Sequence, residues 1–224
     1  MTALPHSLTV ARTATYYQLG EPTAATRELW FVLHGYGQLA EFFIRHFRVL
    51  TPDDAPEHTV VIAPEALNRF YLGDSLSHAT SRVGATWMTR EKRSQEITDY
   101  ANYLNQVYDR IRPLAPTARV TVLGFSQGTA TASRWLPTLP EPPARLVLWA
   151  GAFPEDMEFA AAPALLSGAI ELHTVVGNGD AVVTEESKIR QARFIEAHGL
   201  RPVAHTFRGG HTLDAGVLRE LGGE

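Results

Sequence analysis

Residues 122–130 read VLGFSQGTA. A single serine, Ser126, stands between Gly124 and Gly128. The run RVTVLGF (119–125) before it is apolar and β-branched, as in a buried strand, and GTATASRWL (128–136) after it favours helix. The serine therefore falls at a strand-to-helix junction. A tight turn there projects a hydroxyl away from the backbone, strains the serine, and crowds its neighbours. Glycines on both sides, lacking a β-carbon, let such a turn pack against the adjacent strand and helix.

Working outward, the 224 residues suffice for one α/β domain with a substantial core, and 1–224 is expected to be that single domain. A net charge of −4 without a basic block gives no electrostatic reason to expect nucleic acid or an anionic membrane as partner. The absence of cysteine excludes a disulfide framework, a cysteine-ligated zinc and a cysteine nucleophile. The N-terminal residues MTALPHSLTVARTATYY carry no signal-peptide pattern, and no apolar run reaches membrane-spanning length. A cytoplasmic protein without stable membrane insertion is the expectation.

Buried strands are predicted at 28–34 (ELWFVLH), 59–63 (TVVIA), 119–124, 145–150 (RLVLWA), 170–176 (IELHTVV) and 202–207. Residues 7–18 (SLTVARTATYYQ) read as an antiparallel edge hairpin or bent strand. Helices are predicted at 39–50, with Leu39, Phe43, Phe47 and Leu50 on one face, at 90–111, at 127–136, at 185–198 and from about 212. Residues 64–89 show no clear pattern and are read as a candidate lid. Strands alternating with helices imply a mainly parallel sheet flanked by helices, whose ligands bind beyond the carboxyl ends of the strands.

Four strand ends carry the chemistry. His34-Gly35-Tyr36-Gly37 follows the first buried strand, Ser126 the strand at 119–124, Asn178-Gly179-Asp180 the strand at 170–176, and Gly209-Gly210-His211 the last strand. The order Ser, Asp, His is that of α/β-hydrolases. A serine hydroxyl needs a base to take its proton, and an imidazole, titrating ordinarily near ~6.5, suits that task. Ser126 is thus the candidate nucleophile, His211 the base and Asp180 the acid that fixes its tautomer. The N–H of Gln127 opens a helix and can point at an oxyanion. The N–H of Tyr36, or that of Gly37, is the candidate second donor. Each residue also has an ordinary structural explanation: Asp180 as turn chemistry, His211 as a loop histidine, His34 as a histidine bonded to loop backbone. For His34 the structural explanation is preferred. His205 is a second candidate base, Asp156 and Glu155 are alternative acids, and Asp214 is expected to cap the last helix.

LHGYG, APEA (63–66), GFSQG, GNGDAVV and GGH together resemble the phospholipase/carboxylesterase family of α/β-hydrolases, over residues 29 to about 214. The resemblance implies the α/β-hydrolase fold without a large cap domain, a Ser126–His211–Asp180 triad, and an oxyanion hole of Tyr36 and Gln127. It implies no cofactor and no metal. Three positions depart from the family pattern: Thr129 replaces a second glycine after the elbow, Gln38 an aspartate, and Trp87-Met88-Thr89-Arg90 a tryptophan segment that continues with an aromatic and an aspartate. Thr129 is expected to leave the triad undisturbed.

The expected activity is hydrolysis of short- to medium-chain carboxylic esters through an acyl-enzyme, on a small-molecule ester or thioester. Alternatives are an acyl thioesterase or lysophospholipase acting on longer chains, acyl transfer to another acceptor, and a binding protein on the same fold. Leu72, Trp87, Met88, Trp149 and Phe153 are the candidate walls of the acyl site.

Overall fold

Along Glu28–Leu33 (β2), Leu29, Phe31 and Leu33 face one hydrophobic cluster while Trp30 and Val32 face another. All five are fully buried, so this strand is covered on both sides, as its unbroken apolar run requires. The structure, a computed structural model, describes residues 2–51, 57–73 and 81–223.

The chain begins its regular structure with Tyr16–Leu19 (β1), then β2, a short helix Ala40–Phe43 (α1) and Thr59–Pro64 (β3). Asn68–Tyr71 (β4) and Val83–Thr86 (β5) form a separate antiparallel pair. Arg93–Ile111 (α2), Arg119–Phe125 (β6), Gln127–Trp135 (α3), Arg145–Trp149 (β7), Pro163–Leu166 (α4), Glu171–Gly177 (β8), Glu185–Ala197 (α5), Val203–Phe207 (β9) and Ala215–Gly222 (α6) follow. The large sheet has the order β1-β3-β2-β6-β7-β8-β9. Its strands are parallel except β1, which pairs antiparallel with β3 at one edge.

One face of the sheet packs on α2 and α3. Tyr100, Leu104, Val107, Tyr108 and Ile111 of α2 supply the buried stripe. Phe31 meets Tyr108 and Trp135 with ring centroids 5.5 Å away in each case. Truncating such a ring to alanine costs roughly 3–5 kcal/mol. The other face packs on α6 and on residues 40–50, through Phe43, Phe47, Leu50, Leu218 and Leu221.

Three predicted elements differ. Residues 39–50 bury Phe43, Phe47 and Leu50 in one cluster as expected, but Leu39 is half-buried against the other, only Ala40–Phe43 is α-helical, and Ile44–Leu50 winds as a 3₁₀ helix. The proposed strand at 7–18 shortens to Tyr16–Leu19, because only that part reaches the β3 edge. Within 64–89 lies the β4–β5 hairpin, while residues 74–80 of the candidate lid fall outside the described residues. Helix ends follow local chemistry. Thr184 Oγ1 accepts from Ser187 N at the start of α5, with Glu185 and Glu186 in its first turn. Asp214 caps α6 through Val217 N at 2.9 Å, as read from sequence. No helix among the described residues is long and apolar enough to cross a membrane.

Candidate active site

The strand order reverses direction between β2 and β6, which lie side by side with Leu33 opposite Gly124. In parallel sheets such a reversal opens a crevice beyond the strand ends. The HGYG loop leaves β2 on one side of that crevice and Ser126 leaves β6 on the other. The two are in close approach: a β-carbon on Gly35 would lie 3.2 Å from Ser126 Cβ.

Ser126 has φ 54° and ψ −117°, a conformation L-residues rarely adopt. Strain of this kind costs on the order of 1–3 kcal/mol and must be held by its surroundings. The holding contacts are Ser126 N to Trp149 O at 2.8 Å and Thr129 N to Ser126 O at 3.0 Å. The flanking glycines are required by close approach: a β-carbon on Gly124 would collide with the Gly128 backbone, and one on Gly128 with the Leu33 carbonyl. Thr129 adds a further tie, its buried hydroxyl lying 2.7 Å from Ser126 O and 3.0 Å from Ala152 O.

Asp180 and His211 are brought together by stitching between the loops after β8 and β9. Asn178 N donates to Phe207 O at 2.9 Å and Gly179 N to Gly209 O at 2.8 Å. His211 Nδ1 then lies 2.9 Å from Asp180 Oδ2. The other Asp180 oxygen accepts from Val182 N at 2.8 Å and Val183 N at 3.0 Å. Burial pushes the Asp180 carboxyl up, but the Val183 N–H, the His211 ring and the Val182 N–H outweigh it and hold the group below the ordinary carboxylate value. The His211 ring packs on Phe125, the residue before Ser126, with centroids 5.0 Å apart. Trp149 Nε1 donates to Thr212 O at 2.9 Å, which fixes the loop carrying His211. Among the described residues neither Ser126 Oγ nor His211 Nε2 has a hydrogen-bond partner.

In the HGYG loop, Gly37 N donates to Ala85 O at 2.9 Å and Gly35 N to Gln38 Oε1 at 2.7 Å. The Tyr36 N–H has no partner among the described residues, which leaves it, rather than Gly37, as the loop's available donor. His34 is structural. It is fully buried, its Nδ1 donates to Gly35 O at 2.8 Å, and its Nε2 accepts from Ala66 N at 3.1 Å. Both contacts fit the neutral ring, and burial lowers its pKa to about 4.

The other acids and bases go elsewhere. Asp156 pairs with Arg134 and Arg93, Glu155 lies 3.7 Å from Arg190, and His205 Nε2 is 2.9 Å from His173 Nδ1. Among the described residues no group of three or more His, Asp or Glu side chains is placed to hold a metal ion.

The model of the FSH1 serine hydrolase family matches residues 26–214. The chain belongs to that family. No curated protein matches this serine hydrolase in sequence. Solved structures similar to it include an acyl-protein thioesterase 2 from Zea mays, with TM-score 0.67 and 17% identity over 94% of this chain and 97% of that one. A carboxylesterase from Mesorhizobium loti gives TM-score 0.67 and 20% identity over 93% of each chain. A Bacillus cereus carboxylesterase gives 0.63 and 15% over 94% and 92%. At these identities the likeness is one of fold, and it is the α/β-hydrolase fold.

Beside Ser126 the FSH1-family chain has a cleft of about 610 Å³. Phe153 lines it together with Thr129, Ala130 and Pro154. The wall role expected of Trp87 and Trp149 gives way to core packing. Both are fully buried, and both indoles are hydrogen-bonded, Trp87 Nε1 to His34 O at 2.8 Å. Met88 and Leu72 also lie outside this cleft: Met88 Sδ receives Arg134 Nη1 at 3.7 Å, and Leu72 sits against Gly37.

Two side chains escaped sequence reading. Gln127, expected to act through its backbone, also clamps residues 86–88: Oε1 accepts from Trp87 N at 3.1 Å, and Nε2 donates to Met88 O at 2.9 Å. Glu65 of the APEA stretch is buried and binds Arg69 Nε at 2.6 Å and Ala40 N at 3.3 Å. A charged residue set directly after the apolar run TVVIAP was the available signal for Glu65.

Proposed function

We propose that this serine hydrolase cleaves carboxylic esters of small molecules through an acyl-enzyme on Ser126. The observation that carries the reading is the 2.9 Å contact between His211 Nδ1 and Asp180 Oδ2, made beside a serine held at positive φ. The ionised Asp180 keeps the proton on Nδ1, so Nε2 is free to accept. Ser126 Oγ attacks the ester carbonyl carbon while its proton passes to His211 Nε2. Catalytic hydrogen bonds commonly tighten only in the substrate complex, and the serine–histidine contact forms there. The N–H groups of Tyr36 and Gln127 hold the oxyanion. His211 then protonates the departing alcohol oxygen, and the bond between it and the acyl carbon breaks. Water attacks the acyl carbon as His211 takes its proton; the bond from Ser126 Oγ to that carbon then breaks, His211 returns the proton to Ser126 Oγ, and the carboxylic acid leaves. The cleft, of about 610 Å³, suits short- to medium-chain acyl groups.

The test is hydrolysis of p-nitrophenyl butyrate by wild type and Ser126→Ala. Turnover that disappears in the variant, with an unchanged melting temperature, supports the reading. Equal turnover in both refutes it.

A further inference from the structure

One face of α3 runs from the elbow to a cationic cluster. Ser126, Ala130 and Arg134 recur at every fourth residue and all line the same cleft. Arg134 Cα is about 12 Å further along the helix, at 1.5 Å per residue. Side chains on a helix lean back toward its N-terminus, here toward Ser126.

The Arg134 side chain is only 9% exposed. Its Nη2 donates to Asp156 Oδ1 at 2.6 Å, its Nη1 reaches the weak acceptor Met88 Sδ, and its Nε has no partner. Arg93, from the first turn of α2, takes the other oxygen, Asp156 Oδ2, at 2.9 Å. Two guanidiniums, one largely removed from water, therefore share one carboxylate. The remaining charge on the cleft wall, Glu155, is 80% exposed and lies 3.7 Å from Arg190. The wall's own charges, Arg93, Arg134, Asp156 and Glu155, sum to zero; with Arg190, which offsets Glu155 from outside the cleft lining, the cluster carries an excess of one positive charge, and Arg134 keeps an unused Nε–H donor. A buried guanidinium without enough acceptors is costly, and its forked donors match a carboxylate.

We propose that Arg134 and Arg93 form a carboxylate subsite at the far end of the cleft, and that the preferred substrates are esters carrying a free carboxylate remote from the scissile carbonyl. The excess of one charge matches a monoanion. This inference rests on Ser126 being the nucleophile and deepens that reading.

Two pairs of esters test it and tell which side of the ester bears the anion. The first is p-nitrophenyl hydrogen suberate against p-nitrophenyl suberamate, which ends in a carboxamide. The second is the butyrate ester of 4-hydroxybenzoate against that of 4-hydroxybenzamide. The readout is the ratio of kcat/KM within each pair, so partial loss of folded enzyme cancels. In one pair wild type is expected to favour the acid about tenfold, through KM, with a preference that shrinks as salt rises. Arg93→Gln and Arg134→Gln each lower the ratio by about fivefold or more, and Asp156→Asn, which removes the competing carboxylate, raises it. A ratio near one in both pairs, or a ratio that neither arginine variant moves, overturns the subsite. Neutral esters hydrolysed through Ser126 with no acid preference sink the subsite alone. Neutral esters turned over equally by Ser126→Ala sink the nucleophile assignment instead.

Discussion

Gln127 fastens Trp87 from 40 residues away, accepting the Trp87 backbone N–H at 3.1 Å while its own amide donates to Met88 O and Thr86 Oγ1, each at 2.9 Å. The side chain that follows Ser126 is thus committed to holding the segment after β5. Its backbone N–H stays available to the reaction. Gln127→Ala removes these buried bonds and strands their partners, a loss of about 1–3 kcal/mol. In a chain of this size that lowers Tm by roughly 3–10 °C. Ester turnover should fall by about tenfold or less, because the backbone donor survives. Thermal denaturation and p-nitrophenyl butyrate kinetics on the purified variant read both effects.

Asp180→Asn retains an oxygen for the Val182 and Val183 N–H groups, so the fold should persist. Facing His211 Nδ1 with an amide favours the wrong tautomer. By the same logic as in other serine hydrolases, kcat should drop by about 10⁴ with little change in Tm. A kcat within tenfold of wild type would move the acid role away from Asp180.

Tyr36 is 59% exposed, and its ring rests on Phe70 with centroids 5.0 Å apart. The part proposed for it in the chemistry belongs to the backbone. Tyr36→Pro deletes the N–H and should lower kcat by about 10²–10³. Tyr36→Ala keeps it and should lose far less. Equal losses in the two variants would point to the ring instead.

His34 makes stability depend on pH. Its folded pKa of about 4 lies below the ordinary value of 6.5, so between these values the unfolded chain binds the proton and the folded chain does not. Stability from this group is fully present above pH 6.5, falls as pH drops toward 4, and is lost by then, about 3 kcal/mol in all. Urea denaturation from pH 7.5 to 4 should show the decline. His34→Gln should flatten it while lowering stability throughout, because the Gly35 and Ala66 contacts are imperfectly replaced.

The central parallel strands β2, β3, β6 and β7 were legible in the sequence because each is covered on both faces and reads as a largely apolar run, whereas β8 and β9, nearer the edge, are only partly buried and were found from their alternation with helices. The predicted 28–34, 59–63, 119–124, 145–150, 170–176 and 202–207 match β2, β3, β6, β7, β8 and β9 to within a residue at either end. The candidate residues were picked out because they follow strand ends, and the structure brings two of them, Asp180 and His211, to 2.9 Å. The β4–β5 hairpin was not: its strands are only four residues each, β4 is half exposed, and β5 buries Gly84, Ala85 and Thr86, small residues that carry no strand signal. They pair with each other and not with the main sheet, and although Ala85 joins the core the run is too short to imprint a pattern. Trp87 and Trp149 were misread because a tryptophan near a strand end serves a pocket wall or a core equally well by composition. Only the indole hydrogen bonds to His34 O and Thr212 O decide between them. Gln127 and Glu65 act by bonds to distant segments, and Gln38 by a bond inside its own loop, none of which local periodicity records.

The most direct test of the central claim is intact-mass analysis after reaction with a fluorophosphonate probe. Ser126 as an activated nucleophile predicts one phosphonyl adduct on wild type, mapped by peptide sequencing to the stretch containing Ser126, and none on Ser126→Ala or His211→Ala. A folded wild type that remains unlabelled, or a Ser126→Ala variant labelled as fast as wild type, would contradict it.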